Sequence, residues 1–222
     1  MVSEIKGEIM TTRPSKIICV GRSYADHARE LGNAVPDAPV LFIKPPSSLI
    51  DLEHGISWNA ALGSCHHECE LTLRIDQPLK AETDPAKALE AVGAVTLGLD
   101  LTLRDLQDDL KKKGYPWERS KAFDGACVLA EWIHVSEIMD WNHIHYTLHV
   151  NDTLRQAGDT SCLIFDIATL IADISQVFTL EAGDVVMTGS PSGVAALHAG
   201  DRLTMTLQGK TQEFVWKTFV QA

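Results

Sequence analysis

The stretch HHECELTLRI, residues 66–75, sets strand structure and chemistry together. From Glu70 to Ile75 polar and apolar residues alternate at period two, the pattern of a strand with one buried face. Residues i and i+2 of a strand share a face, so Glu68 and Glu70 project to the same side. Two carboxylates on one face repel each other and lose hydration if partly buried. Either water bathes both, as on an exposed edge strand, or a cation sits between them. Hard oxygen donors at this spacing suit Mg2+, Mn2+ or Ca2+. Cys65, His67 and Cys69 alternate along the opposite face and offer zinc as a rival. Same-face positions on a strand lie about 6.5 Å apart, so such donors diverge. No second cysteine pair supplies a fourth zinc ligand. The carboxylate site is the stronger reading.

Outward from this strand the chain reads as mainly β with a few helices. Residues 16–20 form a short apolar run ending at Gly21, and 40–43 form a strand among Pro36, Pro39, Pro45 and Pro46. Further strands are predicted over 94–101, 145–150, 154–156, 184–188, 202–207 and 213–219. Asn151-Asp152-Thr153 joins two of them as a hairpin. A short helix over 23–31 has Ser23 as cap and Gly32-Asn33 as stop. A second, over 84–91, has Asp84 as cap and Pro85 in its first turn. An amphipathic helix over 103–113 ends at Gly114 and Pro116, and another covers 166–177. No repeat, low-complexity tract or linker divides the 222 residues, so one domain spanning 1–222 is expected.

Composition narrows the function. Nineteen basic against thirty acidic residues give a formal charge of −11. Lys and Arg cluster nowhere beyond Lys111-Lys112-Lys113, which reads as a solvated helix end, so nucleic acid is not an expected partner. No segment approaches the roughly 18 uninterrupted apolar residues of a membrane span. The first ten residues, MVSEIKGEIM, have no apolar core and do not read as a secretory signal. The cysteines at 19, 65, 69, 127 and 162 are odd in number and mostly lie in apolar strands. Reduced thiols in a cytoplasmic protein are the simpler expectation.

Several other groups are equipped for chemistry. Asp100 lies between Leu99 and Leu101 at a strand end, as a third oxygen ligand or as the cap of the helix that follows. His27 and Glu30, at i and i+3, share a helix face, where a carboxylate can orient an imidazole as a base; an ordinary surface pair is the alternative. Lys121 is positioned to hold an anion or an enolate, or else is a surface lysine. The small-residue turn at 188–193, Thr-Gly-Ser-Pro-Ser-Gly, offers backbone N–H groups to an oxyanion. It lacks the lysine of a nucleotide-binding P-loop.

Taken together, GRSYADHAREL, APVLFIKP, HHECEL, GLDLTLRDLQ, PWERSKAFDGACVL and LEAGDVVMTGSPSGV resemble the fumarylacetoacetate hydrolase family, especially its small single-domain members. The likeness covers residues 16–201 in the family's order. It implies a mixed β-sandwich roll and a homodimer. It implies Glu68, Glu70 and Asp100 as ligands of one Mg2+ or Mn2+, and a lid dyad of His27 and Glu30. Lys121 takes the place of the family's lysine, Arg104 and Gln107 of its substrate-facing pair, and the turn at Thr188 and Gly189 of its carbonyl-binding loop. Cys69 stands where the family commonly has Gly, and Ser190 where Thr is usual.

The substrate so implied is a small anionic 2-oxo acid with a β-carbonyl, such as an acylpyruvate or oxaloacetate. Cleavage of the C3–C4 bond, by hydrolysis or decarboxylation, comes first among the implied reactions. Keto–enol tautomerisation, or isomerisation of a carboxymethyl-hydroxymuconate, comes second. A metal-binding protein without catalytic activity on the same fold is the alternative from another class.

Overall fold

The structure is a computed structural model that describes residues 13–30 and 34–221, with the side chains of His27 and Ala28 outside the description. Along the chain run strands β1 (Ile17–Gly21), β2 (Val40–Lys44), β3 (Leu49–Asp51), β4 (Cys65–His67), β5 (Cys69–Ile75) and β6 (Val92–Asp100). They continue with β7 (Thr102–Leu103), β8 (Cys127–Leu129), β9 (Ile133–His134), β10 (His145–Val150) and β11 (Thr153–Asp159). The last four are β12 (Val185–Met187), β13 (Ala195–Ala196), β14 (Arg202–Gln208) and β15 (Glu213–Phe219). The helices are α1 (Ala25–Glu30), α2 (Pro85–Leu89), α3 (Arg104–Lys113), α4 (Glu118–Lys121) and α5 (Ile167–Val177).

An eight-stranded mixed sheet runs β2-β1-β12-β5-β6-β8-β3, with β9 also paired to β6. The β1–β12 and β3–β8 pairs are parallel and the rest antiparallel. The strands β11-β10-β14-β15 form an antiparallel sheet, and β13-β4-β7 a small third one. The main core lies between the layers, with Leu71, Leu73, Ile75, Leu97 and Leu99 meeting Leu148, Met205 and Leu207. A second cluster, including Ile17, Cys19, Cys127, Val185 and Met187, fills the other side of the large sheet. Strands buried on both faces read as near-continuous apolar runs, as Val92–Asp100 does.

The hydroxyl of Ser23, the expected cap of the first helix, donates back to Val20 O at 3.1 Å, and α1 starts only at Ala25; the signals of the later helices act as expected. Asp84 Oδ1 accepts from Ala86 N, and Gly114 closes α3 in the left-handed conformation. The β10–β11 turn is tighter than the three-residue loop anticipated. Asn151 and Asp152 alone form it, both at positive φ, and Thr153 already belongs to the strand. The expected stop of the first helix at Gly32-Asn33 lies outside the described residues.

Candidate metal centre

The pairing of β5 with β6 assembles the acids. Register sets Cys69 opposite Leu99 and Glu70 opposite Gly98, while Asp100 N donates to Glu68 O at 2.8 Å. Glu68 lies between β4 and β5, where the chain passes from the small sheet into the large one. Glu68, Glu70 and Asp100 are all buried, and carboxylate oxygens of the three lie within 4.8 Å of one another. Gly98 has no room for a side chain, since a Cβ would meet Thr72 Oγ1 at 2.7 Å.

Three cations surround this cluster. Lys121, at the end of α4, donates to Glu68 Oε2 and Asp100 Oδ2, each at 2.6 Å. Arg104 pairs with Glu68 Oε1 and donates to Gln107 Oε1 at 2.7 Å. Arg104 opens α3, where a cation faces the positive end of the helix dipole, so its carboxylate partner must hold it there. Lys44, fully buried at the end of β2, sits 2.8 Å from Asp100 Oδ1 and donates to Lys121 O.

The cations match the acids in number but do not satisfy every carboxylate oxygen. Asp100 Oδ1 is buried without a hydrogen bond, because Lys44 is near it but not aligned. Burial, then Asp100, then Glu68 push the Glu70 pKa well above the ordinary carboxylate range, against Lys121 and the Gly189 N–H. Burial opposes the charge on Lys121, but Asp100 and Glu68 more than compensate and raise its pKa. Three converging oxygen donors with one unmet lone-pair site fit a hard divalent cation, which would reverse the cost of ionising Glu70.

Above the acids opens a cleft with about 460 Å³ of empty space, part of it open to solvent. Arg22, Arg104, Lys111 and Lys121 line it against Glu68, Glu70 and Asp100, so its walls carry one more cation than acid in a chain of formal charge −11. Gln107, Ser190, Phe42 and Trp117 complete much of the rest.

A model of the fumarylacetoacetate (FAA) hydrolase C-terminal family matches residues 16–215. The chain belongs to the fumarylacetoacetate hydrolase family. Over 205 residues it is 44% identical to oxaloacetate tautomerase YcgM of Escherichia coli K12, covering 92% of this chain and 93% of that one. It is 39% identical over 193 residues to the human mitochondrial oxaloacetate tautomerase FAHD1, covering 87% of each. It superposes with a TM-score of 0.85 on a crystal structure of fumarylpyruvate hydrolase from Pseudomonas aeruginosa in complex with Mn2+ and pyruvate. That pair is 29% identical and covers 99% and 94% of the two chains.

The remaining residues implied by the family likeness fall as follows. Glu30 accepts from Gly193 N at 3.1 Å and 3.2 Å, one distance to each oxygen, which ties α1 to the loop after β12. The side chain of its expected partner His27 lies outside the described residues. The Thr188 hydroxyl points inward and donates to Leu71 O at 2.9 Å, and Gly189 N donates to Glu70 Oε2 at 2.8 Å. Ser190 is therefore the part of that turn that reaches the cleft. Gly189 has φ +98, and a Cβ there would meet Ser23 Oγ at 2.2 Å. The rival zinc trio does not converge. Among the described residues the converging group of acid, His or Cys donors is Glu68, Glu70 and Asp100. Asp100 is not a helix cap either, because α3 starts at Arg104 after Leu103.

Two residues of the site carried no sequence signal. Lys44 stood just past the strand expected over 40–43 and had no role assigned to it, yet it ends β2 and is the counter-ion of Asp100. Arg22 lines the cleft at φ 58, and its buried Nε has no hydrogen-bond partner. A non-glycine residue held in the left-handed region is the signal that would have singled it out, and it becomes visible only in the backbone.

Proposed function

We propose that this chain is a divalent-metal-dependent enzyme that interconverts the keto and enol forms of oxaloacetate, or of a similar 2-oxo acid with a β-carbonyl. The carrying observation is the convergence of Glu68, Glu70 and Asp100 beneath a cation-lined cleft. The tautomerase relatives at 39–44% identity support this reaction over others.

Glu68, Glu70 and Asp100 would hold one Mg2+ or Mn2+. When bound, such an ion supplies Lewis-acid stabilisation of negative charge on the 2-oxo oxygen. The reaction breaks C3–H and forms O–H on the former 2-oxo oxygen, with no net change in atoms. Arg104, oriented by Gln107, and Arg22 bind and align the substrate carboxylates. Lys121 stays protonated between its two carboxylates, so it serves as a fixed positive charge and not as the base. His27, oriented by Glu30, is the proposed carrier of the C3 proton. Phe42 and Trp117 limit water at the cleft wall. The same reading assigns a cytoplasmic homodimer. Among the described residues no helix is long and apolar enough to cross a membrane.

C3–C4 cleavage is the second reading, favoured by the likeness to a fumarylpyruvate hydrolase that binds Mn2+ and pyruvate. One assay separates the two. Protein loaded with Mg2+ or Mn2+ is given enol oxaloacetate, and enol absorbance and pyruvate are followed together with EDTA as control. Accelerated enol decay without pyruvate supports the tautomerase, and stoichiometric pyruvate supports cleavage. A rate equal to the EDTA control in metal-loaded protein would reject both.

A further inference from the structure

We infer that Gln156 is a positioning residue that locks the substrate-facing turn to the metal-bearing strand; its catalytic meaning rests on the function proposed above. Gln156 lies on β11, in the four-stranded sheet, and is 1% exposed. Its side chain leaves that sheet and reaches the beginning of β5. Oε1 accepts from Cys69 N at 3.0 Å and pairs with His67 Nδ1 at 2.9 Å. Nε2 donates to Ser190 Oγ at 2.7 Å and to Pro191 O at 2.9 Å. Ser190 Oγ in turn donates to Cys69 O at 3.1 Å.

These bonds close a ring through Cys69, Gln156 and Ser190. Both peptide groups of Cys69 are held, and Cys69 is the residue between Glu68 and Glu70. The ring fixes the spacing of the two acids and the position of the turn whose Gly189 N–H meets Glu70. All four hydrogen-bonding positions of the amide are used, so its orientation is unambiguous. A flipped amide would set an NH2 against the Cys69 N–H. The loop after the turn packs on the same strand: Gly193 leaves no space for a Cβ, which would fall 1.9 Å from Arg155 O, and its N–H donates to the Glu30 carboxylate. One buried amide thus links the acids, the turn and the loop that anchors Glu30.

The test compares wild type with Gln156→Met, which keeps size but no hydrogen bond, and with Gln156→Glu, which keeps acceptors but no donor when ionised. Mn2+ affinity, pyruvate binding to Mn2+-loaded protein, melting temperature, and KM and kcat for oxaloacetate are measured on each. Both variants are expected to weaken pyruvate binding and raise KM about tenfold or more, the size expected for one or two lost buried hydrogen bonds, with a smaller change in Mn2+ affinity. A lowered melting temperature with pyruvate binding and KM unchanged would make Gln156 a purely structural residue and overturn the inference. Failure of both variants to fold would overturn it as well, as would a wild type that binds no pyruvate with Mn2+ present. Should wild type bind Mn2+ and pyruvate but convert no oxaloacetate, the proposed reaction falls while the pyruvate comparison still decides the role of Gln156.

Discussion

Asp184, which precedes β12, and Glu70, on the neighbouring β5, are both buried carboxylates of the large sheet, yet their surroundings differ in kind. Asp184 accepts from Ser15 N at 3.0 Å, Ser15 Oγ at 2.7 Å, Lys16 N at 3.1 Å and Glu181 N at 2.8 Å, and it pairs with the Lys16 ammonium. Burial alone would raise its pKa, but these donors hold it below the ordinary value. Glu70 receives one backbone N–H and faces two other acids, and its pKa is driven upward. A buried acid supplied with donors completes a fold, here by fastening the entry of β1 to β12. A buried acid set against other acids is costly until a cation arrives.

The largest expected effect falls on the crowded acid. Glu70→Gln should lower Mn2+ affinity and turnover on the order of a hundredfold or more, since it removes a ligand charge from a site whose ion contributes several kcal/mol. The melting temperature of the metal-free variant should equal or exceed that of metal-free wild type. Calorimetry that finds wild-type Mn2+ affinity would reject Glu70 as a ligand. Asp184→Ala should behave in the opposite way. It leaves Lys16 and several N–H groups without their partner and is expected to lower unfolding free energy by about 3 kcal/mol. Its Mn2+ affinity, once folded, should match wild type; a large loss there would show that the two sites are coupled.

A smaller effect separates the two acids by pH. Glu70 has a raised native pKa, so above about pH 4.5 the native state binds the extra proton and stability falls as pH rises through the native value. In EDTA, the melting temperature of wild type minus that of Glu70→Gln should become more negative as pH is raised above that point. Asp184 has a lowered native pKa, so its contribution is present above about pH 4 and fades on acidification. The deficit of Asp184→Ala should therefore shrink as pH falls below 4. Parallel curves for Glu70→Gln and wild type across this range would refute the raised pKa.

What the sequence shows of this site follows the range of the interactions. The alternation from Glu70 to Ile75 is local and marks both the strand and the shared face of Glu68 and Glu70. Asp100 was legible as a candidate because an acid stands out between Leu99 and Leu101, but its convergence with Glu68 depends on the register of β5 and β6. The roles of Lys44 and Arg22 arise from contacts and backbone angles that no local pattern carries. Gln156 stood at the end of a predicted strand over 154–156, whereas β11 runs on to Asp159 and its amide crosses to another sheet. The turn at 188–193 was legible as a turn, though the direction of each group was not. Thr188 and Gly189 face inward to Leu71 and Glu70, and Ser190 lines the cleft while its hydroxyl is held by Gln156 and Cys69.

The central claim is that three acid side chains share one divalent cation. Crystals grown from EDTA-treated protein and soaked in Mn2+ would test it most directly, through an anomalous difference map recorded near the manganese edge. One peak per chain, bounded by the carboxylates of Glu68, Glu70 and Asp100 and absent in Glu70→Gln, is the expected result. Manganese found only elsewhere, in crystals of protein that accelerates enol decay on Mn2+ addition, would contradict it.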